Sequence, residues 1–344
     1  MSDHHREIVT FAVKCLDFEG AIEAARDLWR LPTGVDYLID FGPLKWLEPF
    51  GMLYFARQLR TFANERKPSR CQAKNHEGHG YAAHMGFFQS FGLNFGKEAG
   101  AANGSVVYIP ITEVNIRKLH IEAGQSQVQV QEIIERHCAK LAAVLARNDG
   151  GPLQHTLGFS LREILRNVTE HSNADSIWYA AQYWPNKQLV ELSILDQGRG
   201  IRTTLSRNPH LIINSDEDAI RLALKPGISG RAYEGAPQLR DDAWANSGYG
   251  LFMTSQICAR GGSFALCSGD RGLLLNGEAE KVLDAGFSGT AIRMCIYVPE
   301  VLALNEALKE FSSRGEYLAG QAGKSASMRA SVSSRMLTKD FSSE

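Results

Sequence analysis

Residues 189–201, LVELSILDQGRGI, run from Leu189 through an almost unbroken apolar segment into Asp196, Gly198 and Gly200. A short apolar run bounded by turn formers predicts a buried strand over 189–195. Asp196 at its carboxyl end, followed by two spaced glycines, predicts a turn that faces a ligand. The glycines let backbone approach a bound group closely, and the carboxylate can accept a hydrogen bond from an exocyclic amine such as that of adenine. The same residues also suit a plain strand-to-loop turn.

Working outward, residues 157–171 predict a helix. Leu157, Leu161, Ile164, Leu165 and Val168 form its apolar face, and Glu163, Asn167 and His171 recur at i, i+4 and i+8 as one polar stripe beside it. A carboxylate and a carboxamide aligned at a core edge suit the holding of a metal and a water next to a ligand; a solvated helix face is the alternative. Residues 176–183 predict a strand joined to 189–195 through Pro185-Asn186. Downstream, Gly248, Tyr249, Gly250 and Leu251 open a helix over 251–260 that Gly261-Gly262 stops. Glycines at a helix N-terminus present free N–H groups to phosphate. Strands are expected at 263–268, 272–275 and 290–298, the last entered through Gly289-Thr290. Helices against one mixed sheet make an α+β two-layer sandwich with helices on one face.

Before this region lies a smaller α/β pattern. Residues 8–15 and 35–41 (VDYLIDF) predict strands, 21–29 a helix, 51–62 (GMLYFARQLRTF) an amphipathic helix, and 106–111 a further strand. Residues 127–147 predict a helix through Val130, Ile133, Ile134, Leu141 and Leu145, ended by the Gly/Pro cluster at 148–152, that either links two units or opens the second. The expected organisation is a first unit over 1–120, a linker helix within 121–152, a second unit over 153–300, and a Ser/Gly/Ala-rich disordered tail over 313–344.

Composition narrows the function classes. In 344 residues, 37 Lys and Arg balance 38 Asp and Glu, for a net charge of −1. That balance argues against a broad nucleic-acid footprint, which needs clustered excess cations. No apolar run approaches membrane-spanning length, and residues 1–6 lack the apolar region of a secretory signal. Six scattered cysteines without a Cys-x-x-Cys pair read as reduced thiols in a cytoplasmic protein.

In this order the four elements resemble the boxes of the Bergerat-fold ATPases, the GHKL superfamily of gyrase, heat-shock chaperone, histidine kinase and MutL. Glu163, Asn167 and His171 look like the N box, Asp196, Gly198 and Gly200 like the G1 box, Gly248, Gly250 and Leu251 like the G2 box, and Gly289-Thr290 like the final Gly-Thr element. The resemblance covers about 153–298. It implies ATP and Mg²⁺ as cofactors. Asn167 would ligate Mg²⁺ bridging the phosphates, and Glu163 would act as general base on water or a protein hydroxyl. Asp196 would bind the adenine amine, with Gly200, Ile201 and Thr290 around the base. Gly248, Tyr249, Gly250 and Leu251 would cradle phosphates. Residues 202–246 would be the ATP lid, from which Lys225 or Arg231 could meet the γ-phosphate; solvated loop cations are the alternative.

Residues 35–62 are similar to the central strand, loop and helix of STAS domains, the anti-sigma-factor antagonist fold. The loop there usually carries a phosphorylated hydroxyl. Here it holds Glu48 and no Ser or Thr, so the switch is missing or Glu48 mimics its charged state. Two decoys fall away. Gly323-Lys324-Ser325 lacks the earlier glycine of a P-loop, position 318 being Leu318. Cys71, His76, His79 and His84 lie in a polar loop without finger spacing.

The expectation is a Mg-ATP-binding regulatory protein in which lid closure controls a contact with a regulatory protein partner. ATP hydrolysis or anti-sigma-type Ser/Thr phosphorylation would follow. The alternatives are the catalytic module of a histidine kinase, for which His137 lacks the usual neighbours, and a non-hydrolysing ATP-gated switch. Neither nucleic acid nor membrane is expected as a partner; a homodimer is a possibility.

Overall fold

The apolar run at 189–195 forms a central strand of a large sheet, and everything else is arranged on that sheet's two faces. The structure, a computed structural model, describes residues 6–105, 107–147, 150–235, 248–301 and 304–326. Its first elements are β1 (Ile8–Ala12), β2 (Cys15–Leu16), α1 (Phe18–Trp29), β3 (Asp36–Asp40), β4 (Trp46–Leu47), α2 (Pro49–Glu65), β5 (Cys71–Lys74), α3 (Gly80–His84) and α4 (Phe87–Ser90). Strands β1, β3 and β5 form a parallel sheet in that order, and β2 pairs in parallel with β4. Parallel neighbours need crossovers, which α1 and α2 supply. Asp17 caps α1 by accepting the Gly20 N–H at 2.8 Å. Pro49 opens α2 at a position that needs no N–H donor.

The chain continues through β6 (Tyr108–Asn115), α5 (Ile116–Ser126), α6 (Val130–Leu145) and α7 (Pro152–Asn167), which runs on as a π-helical turn, Val168–Ser172. Then come β7 (Ser176–Trp184), β8 (Leu189–Asp196), α8 (Gly200–Leu205), α9 (Asp216–Ala223) and α10 (Gly250–Ala259). Strands β9 (Ser263–Gly269), β10 (Arg271–Asn276), β11 (Ala279–Leu283) and β12 (Phe287–Tyr297) precede α11 (Val298–Val301) and α12 (Leu304–Gln321). The seven strands lie in the order β11-β10-β9-β12-β8-β7-β6. Every pairing between them is antiparallel, which corrects the expected mixed sheet. Tight turns link β7 to β8 and β9 to β10 to β11, and β12 returns between β8 and β9 running against both.

Side chains alternate along a strand, so the central strands feed two cores. Val190, Leu192 and Ile194 of β8 and Ile292, Met294 and Ile296 of β12 share one core with α6, α7 and α10. Leu195, Trp178, Ala180, Ala265 and Ala291 share the other with Phe50, Tyr54 and Phe55 of α2. Helices α7, α9, α10 and α11 all pack on the first of these faces, and the opposite face is covered by α2. Helix α2, expected to be amphipathic, is buried on both sides: Phe11 of the parallel sheet stacks on its Phe55 and Tyr37 meets its Phe62 edge-on, while Tyr54 stacks on Phe287 of β12 at 5.2 Å. A helix that is apolar nearly all round has to lie between two layers.

A buried charge group fastens this junction. Glu191 of β8 accepts the Phe50 N–H at 2.9 Å and pairs with Arg293 of β12 at 2.8 Å; Arg293 also reaches Glu48 at 3.4 Å. Glu48, read from the sequence either as marking a missing switch or as mimicking its charged state, takes part in this junction.

Four further boundaries differ from expectation. The strand expected at 106–111 is β6, which pairs with β7 and belongs to the large sheet rather than the first unit. Helix α6, expected either to link the two units or to open the second, packs on α7 through Ile133, Ile134, Cys138, Ala142 and Leu145 and so opens the second. The lid region 202–246 holds the rest of α8 and α9, whose Ser215 and Asp218 form a capping box, and its residues 236–247 lie outside the described residues. The tail expected to be disordered from 313 is helical to Gln321 and then turns through Gly323–Ser325; residues 327–344 lie outside the described residues. Its small residues serve close packing, Ala319 being fully buried. Among the described residues, no helix is long and apolar enough to cross a membrane.

Candidate functional site

A cleft opens beyond the carboxyl end of β8, between α7, α8 and α10. Its empty space, open mouth included, is about 790 Å³. The walls bring together Asn167, His171, Asp196, Gly200, Ile201, Gly248, Gly250, Leu251 and Thr290. Ile164, Val168, Leu205, Ile228 and Leu266 make the remaining wall largely apolar.

Asp196 ends β8 and is 1% exposed. Its Oδ1 accepts the Gly198 N–H at 2.8 Å, and the Thr290 hydroxyl also bonds its carboxylate. Thr290 stands opposite it in the β8–β12 register. Burial pushes the carboxyl up to about 6, with the Gly198 and Thr290 donors holding it back. Ser268 of β9 ties the neighbouring turn together: its Oγ accepts the Ile201 N–H at 3.0 Å and donates to the Gly289 carbonyl at 2.7 Å. The sequence marks neither Ser172 nor Ser268, since a lone serine in an apolar element carries no spacing signal.

The π-helical turn has a local cause. Thr169 Oγ1 donates to the Leu165 carbonyl at 2.6 Å and Ser172 Oγ to the Val168 carbonyl at 2.7 Å, competing with the helix ladder. The widened turn still leaves His171 on the cleft wall. Burial, then the charges of Arg231 and Arg207, lower its pKa to about 4, so its imidazole is neutral near pH 7.

Glu163 lies one turn before Asn167 but off the cleft wall, 4% exposed. Its Oε1 is 3.7 Å from Arg162 Nε and 3.8 Å from Arg166 Nη1. Burial raises its pKa while Arg166 and Arg162 oppose the rise. Its carboxylate occupies the space a side chain at 250 would need: a Cβ on Gly250 would stand 2.1 Å from Oε2. Gly250 at the start of α10 is thus the condition for Glu163 to sit there.

The other predicted residues go elsewhere. Gly198 packs against the Ser172 carbonyl and serves Asp196 through its N–H. Lys225 is exposed and off the wall. Tyr249 is 1% exposed, buried in a small core with Ala319 of α12. His137 of α6 faces Glu122 of α5 at 3.8 Å, away from the cleft residues. In the polar loop, His79 bonds the Phe41 carbonyl, His84 bonds Tyr108, and His76 packs edge-on against Phe95. No group of three or more His, Cys, Asp or Glu among the described residues is arranged to hold a metal ion.

Chemically, the cleft offers a buried acceptor carboxylate amid apolar walls, which suits a flat heterocycle bearing an amine. At its other end stand the N-terminus of α10, which suits an anion, and the Asn167 carboxamide. No protein-family model matches the chain, and no curated protein matches it.

Proposed function

We propose that the cleft binds an adenine nucleotide with Mg²⁺, and that the chain is an ATP-binding regulatory protein of the Bergerat type. The observation that carries this reading is the convergence on one cleft of residues from all four sequence boxes, Asn167, Asp196, Gly250 and Thr290 among them. Asp196 would accept the adenine amine, and the Gly248–Gly250 backbone with the α10 N-terminus would take the phosphates. The donor set fits Mg²⁺ as a nucleotide-borne ion. Such an ion draws most of its oxygens from phosphates and water, so Asn167 alone can serve as its protein ligand. When bound, the metal would neutralise phosphate charge.

The enclosure of Glu163 between Arg162, Arg166 and Gly250 favours a second reading, an ATP-gated switch that turns over slowly or not at all. In either case the first unit serves as a built-in STAS-like partner. Its α2 reaches the nucleotide turn directly: Gln197 accepts from Arg57 Nε at 3.0 Å and donates to Thr61 at 3.1 Å.

Calorimetric titration with Mg-ATP and Mg-GTP tests the binding. One ATP site is expected, with GTP weaker. Asp196→Ala should weaken ATP binding by roughly 10- to 100-fold, the cost of one charged hydrogen bond. Asn167→Ala should abolish the dependence on Mg²⁺. Equal binding of ATP and GTP, or of neither, would sink the reading. Incubation with γ-labelled ATP then sorts hydrolysis, protein phosphorylation and pure binding by where the label ends. Under hydrolysis Glu163→Ala keeps binding and loses turnover.

A further inference from the structure

Gly315 stands inside the 18-residue helix α12, where glycine costs about 0.5–1 kcal/mol against alanine. Its surroundings supply the reason. A Cβ there would lie 3.1 Å from the Phe252 ring, 3.3 Å from the Tyr249 ring and 3.5 Å from Pro226. One turn on, Ala319 is fully buried in a core with Leu205, Ile228, Tyr249 and Ala326. Beyond the helix, Ala326 bridges Ile228 in antiparallel fashion, and Glu234 donates its N–H to the Lys324 carbonyl at 3.1 Å. Buried Asn208 forks between the two segments, its Nδ2 donating to the carbonyls of Ser229 and Ser325 at 3.0 Å each. Ile228, Ser229 and Gly230 are themselves cleft wall.

We propose that α12 and residues 323–326 form a strap that fastens the 226–234 wall of the cleft to α8 and Tyr249, and so sets how fast a nucleotide enters and leaves. The second clause rests on the nucleotide reading; the first does not. Moving this wall outward breaks the Ile228–Ala326 bridge and the Asn208 fork, and wets the core around Ala319. With the strap detached, the same movement loses far less. The C-terminal segment therefore controls the cleft from outside it.

The test uses the full chain carrying Gly315→Leu, which favours helix but cannot fit against Tyr249, Phe252 and Pro226, and separately Ala319→Arg. Hydrogen–deuterium exchange without nucleotide is read first. The amides of 227–234 should exchange at least about tenfold faster in both variants, with β7, β8 and β12 unchanged, as for a local opening. Faster exchange in α12 with unchanged exchange at 227–234 overturns the strap. Loss of protection throughout β7, β8 and β12 also overturns it, because α12 is then part of the global fold. Stopped-flow binding of a fluorescent ADP is read second. Both association and dissociation should accelerate about tenfold, and unchanged rates overturn the control of exchange. A wild-type chain that binds no nucleotide sinks the nucleotide reading and with it the clause on entry and exit, while the first measurement still decides the strap.

Discussion

At Asp196, burial and the hydrogen bonds from Gly198 and Thr290 pull in opposite directions, and burial wins, with the carboxyl near 6. The sign follows by linkage. A folded value raised above the ordinary 3.8 gives stability that is fully present below that value and is lost as pH rises through about 6. Ionised Asp196 is thus disfavoured by burial at neutral pH, and under the proposed nucleotide reading the adenine amine would relieve it. His171 runs the other way: its contribution is present above its ordinary value and is lost as pH falls through about 4. The His171 contribution to stability thus starts to fall below pH 6.5, but in the folded protein its ring stays neutral between pH 5 and 7, so the ligand-affinity profile there belongs to Asp196. Calorimetric ATP affinity is expected to fall below pH 6 by up to about tenfold per unit, and Asp196→Asn to flatten that slope. A slope unchanged in Asp196→Asn would contradict the assignment. Asp196 was legible because a strand's end and two spaced glycines are local signals. Ser268 was not, because its partners come from other elements.

Among the elements, α2 shows how far local pattern reaches. Its helical character was legible at 51–62, but a helix wedged between two sheets looks amphipathic to a reading that assumes one core. Its N-terminus is held through Glu191, a carboxylate hidden in an otherwise apolar strand and pushed up by burial against the pull of Arg293. Removing one partner leaves the other charge buried, so Glu191→Ala should cost about 3–5 kcal/mol. The apolar double variant Glu191→Leu, Arg293→Met should recover most of that loss in urea denaturation. Equal losses in the single and double variants would show that packing, not charge, holds the junction. The π-helical turn and α12 were illegible for related reasons. Hydroxyl-to-carbonyl bonds widen the first, and a composition that suggests disorder instead supplies the small residues a closely packed helix needs.

Across the whole molecule, α2 contributes to one apolar core that spans both sheets, with Trp178, Leu195, Ala265 and Phe287 on the far side. Neither layer can lose the other without exposing that core. A single calorimetric transition is therefore expected, its van't Hoff and calorimetric enthalpies agreeing; a separate early transition for residues 6–105 would contradict it. The sequence by itself determined the class of α7, α10 and the central strands around the cleft, and the position of Asp196 at a strand's end, though not α8, most of which lay in a stretch read as lid. These depend on the period of apolar residues and on turn chemistry, which act within a few residues. Only the tertiary structure decided that the sheet is antiparallel throughout, that β6 joins it, that Glu163 lies behind Gly250 rather than on the wall, and that α12 packs on Tyr249 and Pro226 behind the cleft. Each of those depends on which distant surfaces exclude water together, and no local pattern encodes that choice.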